Sequence, residues 1–169
     1  MGIPKQRRLA LKTAQFQTEA MIAGDSRKET RALKRMAAEA RRYISAFRWC
    51  PRISEIWLAY GIGGVIGLFL LKFEKPVNGT DEFLWVVVGD LPSAFFVVDE
   101  ASNGSEALNV YCQLMEVWAE SVLKGSNLSK VFPVQAETTV ENVELLKRRI
   151  RFLRKQVMPD VKLGPKIKN

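Results

Sequence analysis

Histidine is absent from the 169 residues, and cysteine occurs twice. The first lack excludes imidazole acid–base catalysis, every histidine-based serine or cysteine triad and every histidine-ligated metal site. The second excludes a four-thiolate zinc or iron–sulfur centre within one chain. Cys50 and Cys112 stand far apart among apolar neighbours, which suits two reduced thiols packed as small hydrophobes. The first twelve residues are basic and polar, without an apolar run and small-residue cleavage site, so a cytoplasmic location is expected. No cofactor is expected.

Apolar material is not lacking. Hydrophobic residues make up 47% of the chain, enough for a packed core. Charge is segregated: residues 1–52 carry 13 basic and 4 acidic side chains, 53–136 carry 4 and 10, and 137–169 carry 9 and 4. The basic ends either face an external polyanion or are neutralised by the acidic middle.

The N-terminal segment reads as two helices. In 5–23, Leu9, Thr13, Phe16, Ala20 and Ala23 recur at steps of three and four. Ser26-Arg27-Lys28-Glu29 has the capping-box form and opens a helix over 27–48. There Leu33, Met36, Ala37, Ala40, Tyr43, Ile44 and Phe47 share one face, with Arg27, Arg31, Lys34, Arg35, Arg41 and Arg42 opposite. Joined by a short link, the two helices should form an antiparallel hairpin.

The middle reads as strands: Ile53–Tyr60, Val65–Glu74, Phe83–Gly89 and Ser93–Asp99. Gly61-Ile62-Gly63-Gly64 separates the first two, and Asp90-Leu91-Pro92 the last two. Residues 75–81 read as a loop. Ile56–Leu71 holds no charge over 16 residues. As a helix it would reach about 24 Å, short of a bilayer core of roughly 30 Å. Its glycines favour a buried hairpin over a membrane span. Two helices follow: about 104–123, capped by Asn103 or Ser102, and about 139–157, opened by Thr138-Thr139-Val140-Glu141.

The expected fold is therefore α+β, in the order α-α-β-β-β-β-α-α. A four-stranded antiparallel meander is packed by the C-terminal helices, with an N-terminal basic helical hairpin. Residues 1–52 form the hairpin, as an appendage or as part of the core. Residues 53–159 form the α+β domain, and 160–169 a flexible basic tail.

Two cationic clusters stand out as candidate partner- or polyanion-binding residues. One is Arg27, Arg31, Lys34, Arg35, Arg41 and Arg42; the other is Lys147, Arg148, Arg151, Arg154 and Lys155 on the last helix. Solvated helix faces would also look like this, and no nucleic-acid-binding signature accompanies them. Carboxylates at strand ends (Glu55, Glu74, Asp81, Glu82, Asp90, Asp99, Glu100) lack metal-motif spacing. Gly61, Gly63, Gly64 and Gly67 fail the dinucleotide fingerprint, because position 66 is Ile66, and suit a tight turn or bulge. No catalytic residue and no metal ligand is assigned.

The expected function is that of a small, non-enzymatic, cytoplasmic binding protein recognising a macromolecule. The first reading is another protein, as for a protective or regulatory partner of an effector. It would be met by the helical hairpin or by an exposed sheet edge. The second reading is nucleic acid on the basic helix faces. The third is a carboxylate-dependent metal enzyme.

Overall fold

The computed structural model describes residues 13–163. At its centre lies an antiparallel sheet of five strands in sequence order: β1 (Gln17–Thr18), β2 (Ile53–Ile62), β3 (Ile66–Val77), β4 (Asp81–Gly89) and β5 (Ala94–Val97). The helices are α1 (Arg27–Ser45), α2 (Gly104–Leu123), α3 (Val140–Phe152) and α4 (Met158–Leu163). The α+β class, the antiparallel meander and the C-terminal helices agree with the sequence reading. The strand count is five rather than four.

Both faces of the sheet are covered, one by the C-terminal helices, as expected, and the other by α1. Leu68, Leu70, Trp85 and Val87 point to one side and join Leu108, Met115, Trp118, Val143 and Ile150 of α2 and α3. Their neighbours Phe69, Leu71, Leu84 and Val86 point to the other, against Leu33, Met36, Ala40 and Ile44 of α1. Alternation in a strand delivers successive side chains to opposite faces. Two dry faces therefore demand continuous apolar runs, and Ile66–Leu71 and Phe83–Val88 are buried without interruption. This explains the charge-free stretch: Ile56–Leu71 is a two-strand hairpin between helical layers. Among the described residues, no helix is long and apolar enough to cross a membrane.

Among the described residues the expected N-terminal helical hairpin is not seen. Residues 5–12 of its first helix lie outside the described residues. Those that follow make a 3-10 turn (Thr13–Gln15), the short strand β1 and a second 3-10 turn (Glu19–Met21). The apolar stripe there was sparse, and competing contacts win. Gln17 and Thr18 pair with Leu58 and Trp57. The Gln17 side-chain amide both accepts from the Ala23 N–H (3.1 Å) and donates to the Ala23 carbonyl (3.3 Å). Phe16 meets the Trp85 ring at 6.2 Å on one side of the sheet, while Ile22 is buried on the other. The segment is a strap along the β2 edge.

Helix α1 starts at the expected cap, where Ser26 Oγ accepts from Glu29 N–H at 3.0 Å. The second half of the capping box is absent, because Glu29 Oε1 instead accepts from Gly63 N–H at 2.7 Å. The glycines at this corner let α1 approach closely. A β-carbon on Gly63 would stand 2.7 Å from that of Ala32, and one on Gly61 2.6 Å from a Leu33 methyl. The helix ends at Ser45, before the expected 48.

Strand β3 runs on to Val77, through residues expected to be loop. Pro76, which has no N–H to donate, lies where pairing with β4 slips between Lys72 and Val77. Asn78 and Gly79 then turn the chain with φ of 51° and 76°, the left-handed pair that a tight hairpin requires. Helix α2 is capped by Asn103, whose Oδ1 accepts from Glu106 N–H at 2.8 Å. Thr139, not Thr138, caps α3, accepting from Asn142 N–H at 3.2 Å.

The last helix does not stop at 157. A π-helical turn, Leu153–Val157, leads into α4. Pro159 cannot donate to the carbonyl four residues back, but it is tolerated in a first helical turn. Residues 160–163 of the expected flexible tail are therefore helical, and 164–169 lie outside the described residues.

Candidate functional site

The eleven cationic candidates do not form one surface. Arg27, Arg31, Lys34, Arg35, Arg41 and Arg42 lie on the solvent side of α1, over one face of the sheet. Lys147, Arg148 and Arg151 on α3, with Arg154 and Lys155 in the π-helical turn, lie over the other. The two groups are separated by the whole thickness of the sheet and its helical layers.

In each group the fold neutralises one member. In the C-terminal group, Arg154 grips Glu116 of α2 with two nitrogens, at 2.7 and 3.0 Å, and donates to Asn109 Oδ1 at 3.1 Å. The Glu116 bond holds the guanidinium pKa above its ordinary value, against the opposing effect of burial. The adjacent Arg149 pairs with Asp90 at 2.5 Å. Here the basic C-terminal segment does meet the acidic middle of the chain. On α1, Arg41 pairs with Glu19 at 2.8 Å. Arg27, Arg31, Lys34, Arg35 and Arg42 are exposed and form no ion pair among the described residues.

A second feature was not assembled from the sequence. At the β5 edge a cleft of about 410 Å³ opens between the C-terminal end of α1, the start of β5, α2 and the loop around Phe132. Phe95 is its hub. The ring meets Phe47 and Trp49 at 5.1 Å, Phe132 at 6.0 Å and Tyr43 at 6.3 Å. Phe47 and Trp49 stack on each other at 5.3 Å. Val97 and Leu114 extend the apolar wall, and Glu100 is the one carboxylate in the lining. The Tyr43 hydroxyl donates to the Ser93 carbonyl at 3.4 Å, and burial pushes its pKa up to about 12. It is therefore a neutral donor at ordinary pH. Ring pairs with centroids at such separations favour edge-to-face and tilted packing, and they hold the cleft wall in shape.

The cleft straddles the sheet edge. Tyr43, Phe47 and Phe95 belong to the α1 side, whereas Phe96 and Leu114 belong to the α2 side. The β5 edge itself is short, and Ala94 and Phe96 are buried. Access is thus to side-chain walls more than to a long row of unpaired backbone groups.

The remaining candidates have structural roles. Gly63 receives Glu29, and Gly64 (φ 75°) turns the β2–β3 hairpin. Cys50 and Cys112 are free thiols, and burial raises the pKa of both. Among the described residues, no three carboxylate or thiol groups stand close enough to hold a metal ion. Comparison with protein-family models, with curated proteins and with solved structures finds no match to this chain.

Proposed function

We propose that this is a non-enzymatic binding protein that recognises a segment of another protein in the aromatic cleft at the β5 edge. The observation that carries this reading is the cluster of four rings around Phe95, of which Tyr43, Phe47 and Phe132, with Phe95 itself, line an open cleft of about 410 Å³. Aromatic side chains held in place by one another lose little entropy on binding and dominate interface energies. The lining has apolar walls, the neutral Tyr43 hydroxyl and a single carboxylate. That composition suits an apolar anchor residue with flanking polar contacts. The free thiols are in keeping with a cytoplasmic location.

Trp49, packed against the lining rings Phe47 and Phe95 beside the cleft, supplies the readout. It is 38% exposed, whereas Trp57, Trp85 and Trp118 are buried. Peptides selected from a random display library should share an apolar anchor, shift the emission of Trp49 to the blue and shield it from acrylamide. Phe132→Ala removes one wall from a half-buried loop position and should weaken them at least about tenfold. Failure to enrich any peptide would refute the reading. So would binding that neither Phe132→Ala nor Leu114→Glu weakens.

A further inference from the structure

We propose that the outer strip of α1 is a second binding site, which takes the phosphodiester backbone of a nucleic-acid duplex. The helix carries seven basic and two acidic residues, and both acids are withdrawn from the strip. Glu29 turns inward to the Gly63 N–H, and Glu39 is half-buried on the flank. Arg27, Arg31, Lys34 and Arg42 then follow one another along the outer face, with Arg35 beside them. They cover a line of about 22 Å at 1.5 Å per residue. Ala38 and Ser45, the other residues on this line, are small and exposed, so a flat or grooved partner can approach the helix closely.

The chemistry of the strip selects among anionic partners. A membrane surface calls for apolar side chains beside the cations, to enter the headgroup boundary. Here the apolar face of α1 is spent on the sheet. An acidic protein would need a desolvated apolar centre in the contact, and the strip contains no large apolar residue. A single strand would need aromatic platforms for its bases. The nearest rings, Tyr43 and Phe47, face the cleft and the sheet instead. What remains is a regular polyanion read by charge alone. Each phosphate neutralised releases a condensed counterion, so such binding is independent of sequence and steeply salt-dependent.

The second basic cluster gives an internal control. On α3 the acid Glu144 sits among Lys147, Arg148 and Arg151, and Arg154 is engaged by Glu116. That face should contribute little.

The test is binding of a random-sequence DNA duplex of about 20 base pairs to the full chain, by fluorescence anisotropy over a salt series. With about five phosphates neutralised, the logarithm of affinity should fall against the logarithm of salt with a slope of about −4.5. Arg31→Gln with Arg35→Gln should lower affinity at least about tenfold and flatten the slope by about 2. Both positions are exposed, and circular dichroism checks that the helix persists. Arg148→Gln with Arg151→Gln should leave both quantities unchanged. Absence of binding at low salt would overturn the proposal, as would equal loss in both double variants. Competition by polyglutamate of matched charge as effective as by duplex would point to an acidic protein instead. Retention on anionic vesicles as strong as on duplex would point to a membrane. Either result would overturn it. Because the strip and the aromatic cleft share no residue, these outcomes are independent of the peptide experiment.

Discussion

Gly89→Ala should be among the most damaging single-methyl additions in this protein. Gly89 pairs with Ile66 at the end of β4 and has a φ of 140°, a conformation that side chains rarely adopt. The next residue donates its N–H to the Val65 carbonyl at 3.0 Å, tying the β4–β5 turn to the β2–β3 turn. A β-carbon on Gly89 would overlap the Val65 carbonyl oxygen. It would also lie 2.9 Å from the Val65 carbonyl carbon and 3.0 Å from Ile66 Cα. All three are backbone atoms, so no side chain can swing away. Conformational strain contributes about 1–3 kcal/mol, and forced displacement of a packed backbone adds about 1–3 kcal/mol. The middle of the two ranges gives a total of about 4 kcal/mol. With a urea slope of about 2 kcal/mol/M, the unfolding midpoint should drop by about 2 M. Gly64 and Gly79 are references with positive φ and no close contact. Their φ values are 75° and 76°, but a β-carbon there meets nothing within 4 Å. Alanine at either should cost only about 1 kcal/mol, or roughly 0.5 M of midpoint. If Gly89→Ala is no worse than Gly64→Ala in the same urea titration, the reasoning from the Val65 contact is wrong.

Alkaline stability should be limited by the tyrosines. Burial raises all three, Tyr43 and Tyr60 to about 12 and Tyr111 further still. Because their folded pKa values exceed the unfolded value of about 10, the folded state holds more protons above that pH. Their contribution to stability is complete below about pH 10 and is lost as pH rises through the folded values. Absorbance near 295 nm should therefore show little phenolate at about pH 11 until the protein unfolds. Ionisation of all three with a midpoint near 10 in the native protein would refute this. The thiols should be slow for a related reason. Burial lifts Cys112 to about 11 and also raises Cys50, so few thiolates are present at about pH 8. Ellman's reagent should titrate two thiols promptly in guanidinium but neither at a comparable rate in the native state.

The long periodic elements were legible because each rule they obey is local. Helix α1 has a cap at Ser26 and an unbroken apolar stripe, and α2 has a cap at Asn103 and a stop at Gly125, whose φ is 65°. The N-terminal strap was misread because its residues satisfy distant partners. Gln17 and Thr18 find β2 about forty positions away in sequence, and a sparse helical stripe cannot reveal that competition. Asn78-Gly79 was read as part of a loop, although an Asn-Gly pair between apolar runs is a strong hairpin signal. Pro76 just before it obscured the strand by removing a donor.

The cleft was illegible for a different reason. Its rings come from Tyr43 near the end of α1, from Phe47 beyond it, from Phe95 in β5 and from Phe132 in a loop, with Trp49 packed behind them. Each one reads alone as an ordinary core residue. The cationic candidates show the converse. Composition picks out two clusters along the chain, yet charge counts carry no information about sides of a sheet. Helix α1 follows β1 and precedes β2, whereas α3 follows β5, and the two pack on opposite faces of the sheet. That separation decides what the net charge of +8 can do. A rigid polyanion laid against α1 cannot also reach α3. Meanwhile Asp90 and Glu116 neutralise Arg149 and Arg154 within the fold. Among the described residues the remaining unpaired cations of the two helices therefore lie on opposite sides of the sheet, and salt dependence measured on single-face variants is the quantity that separates a working surface from a merely solvated one.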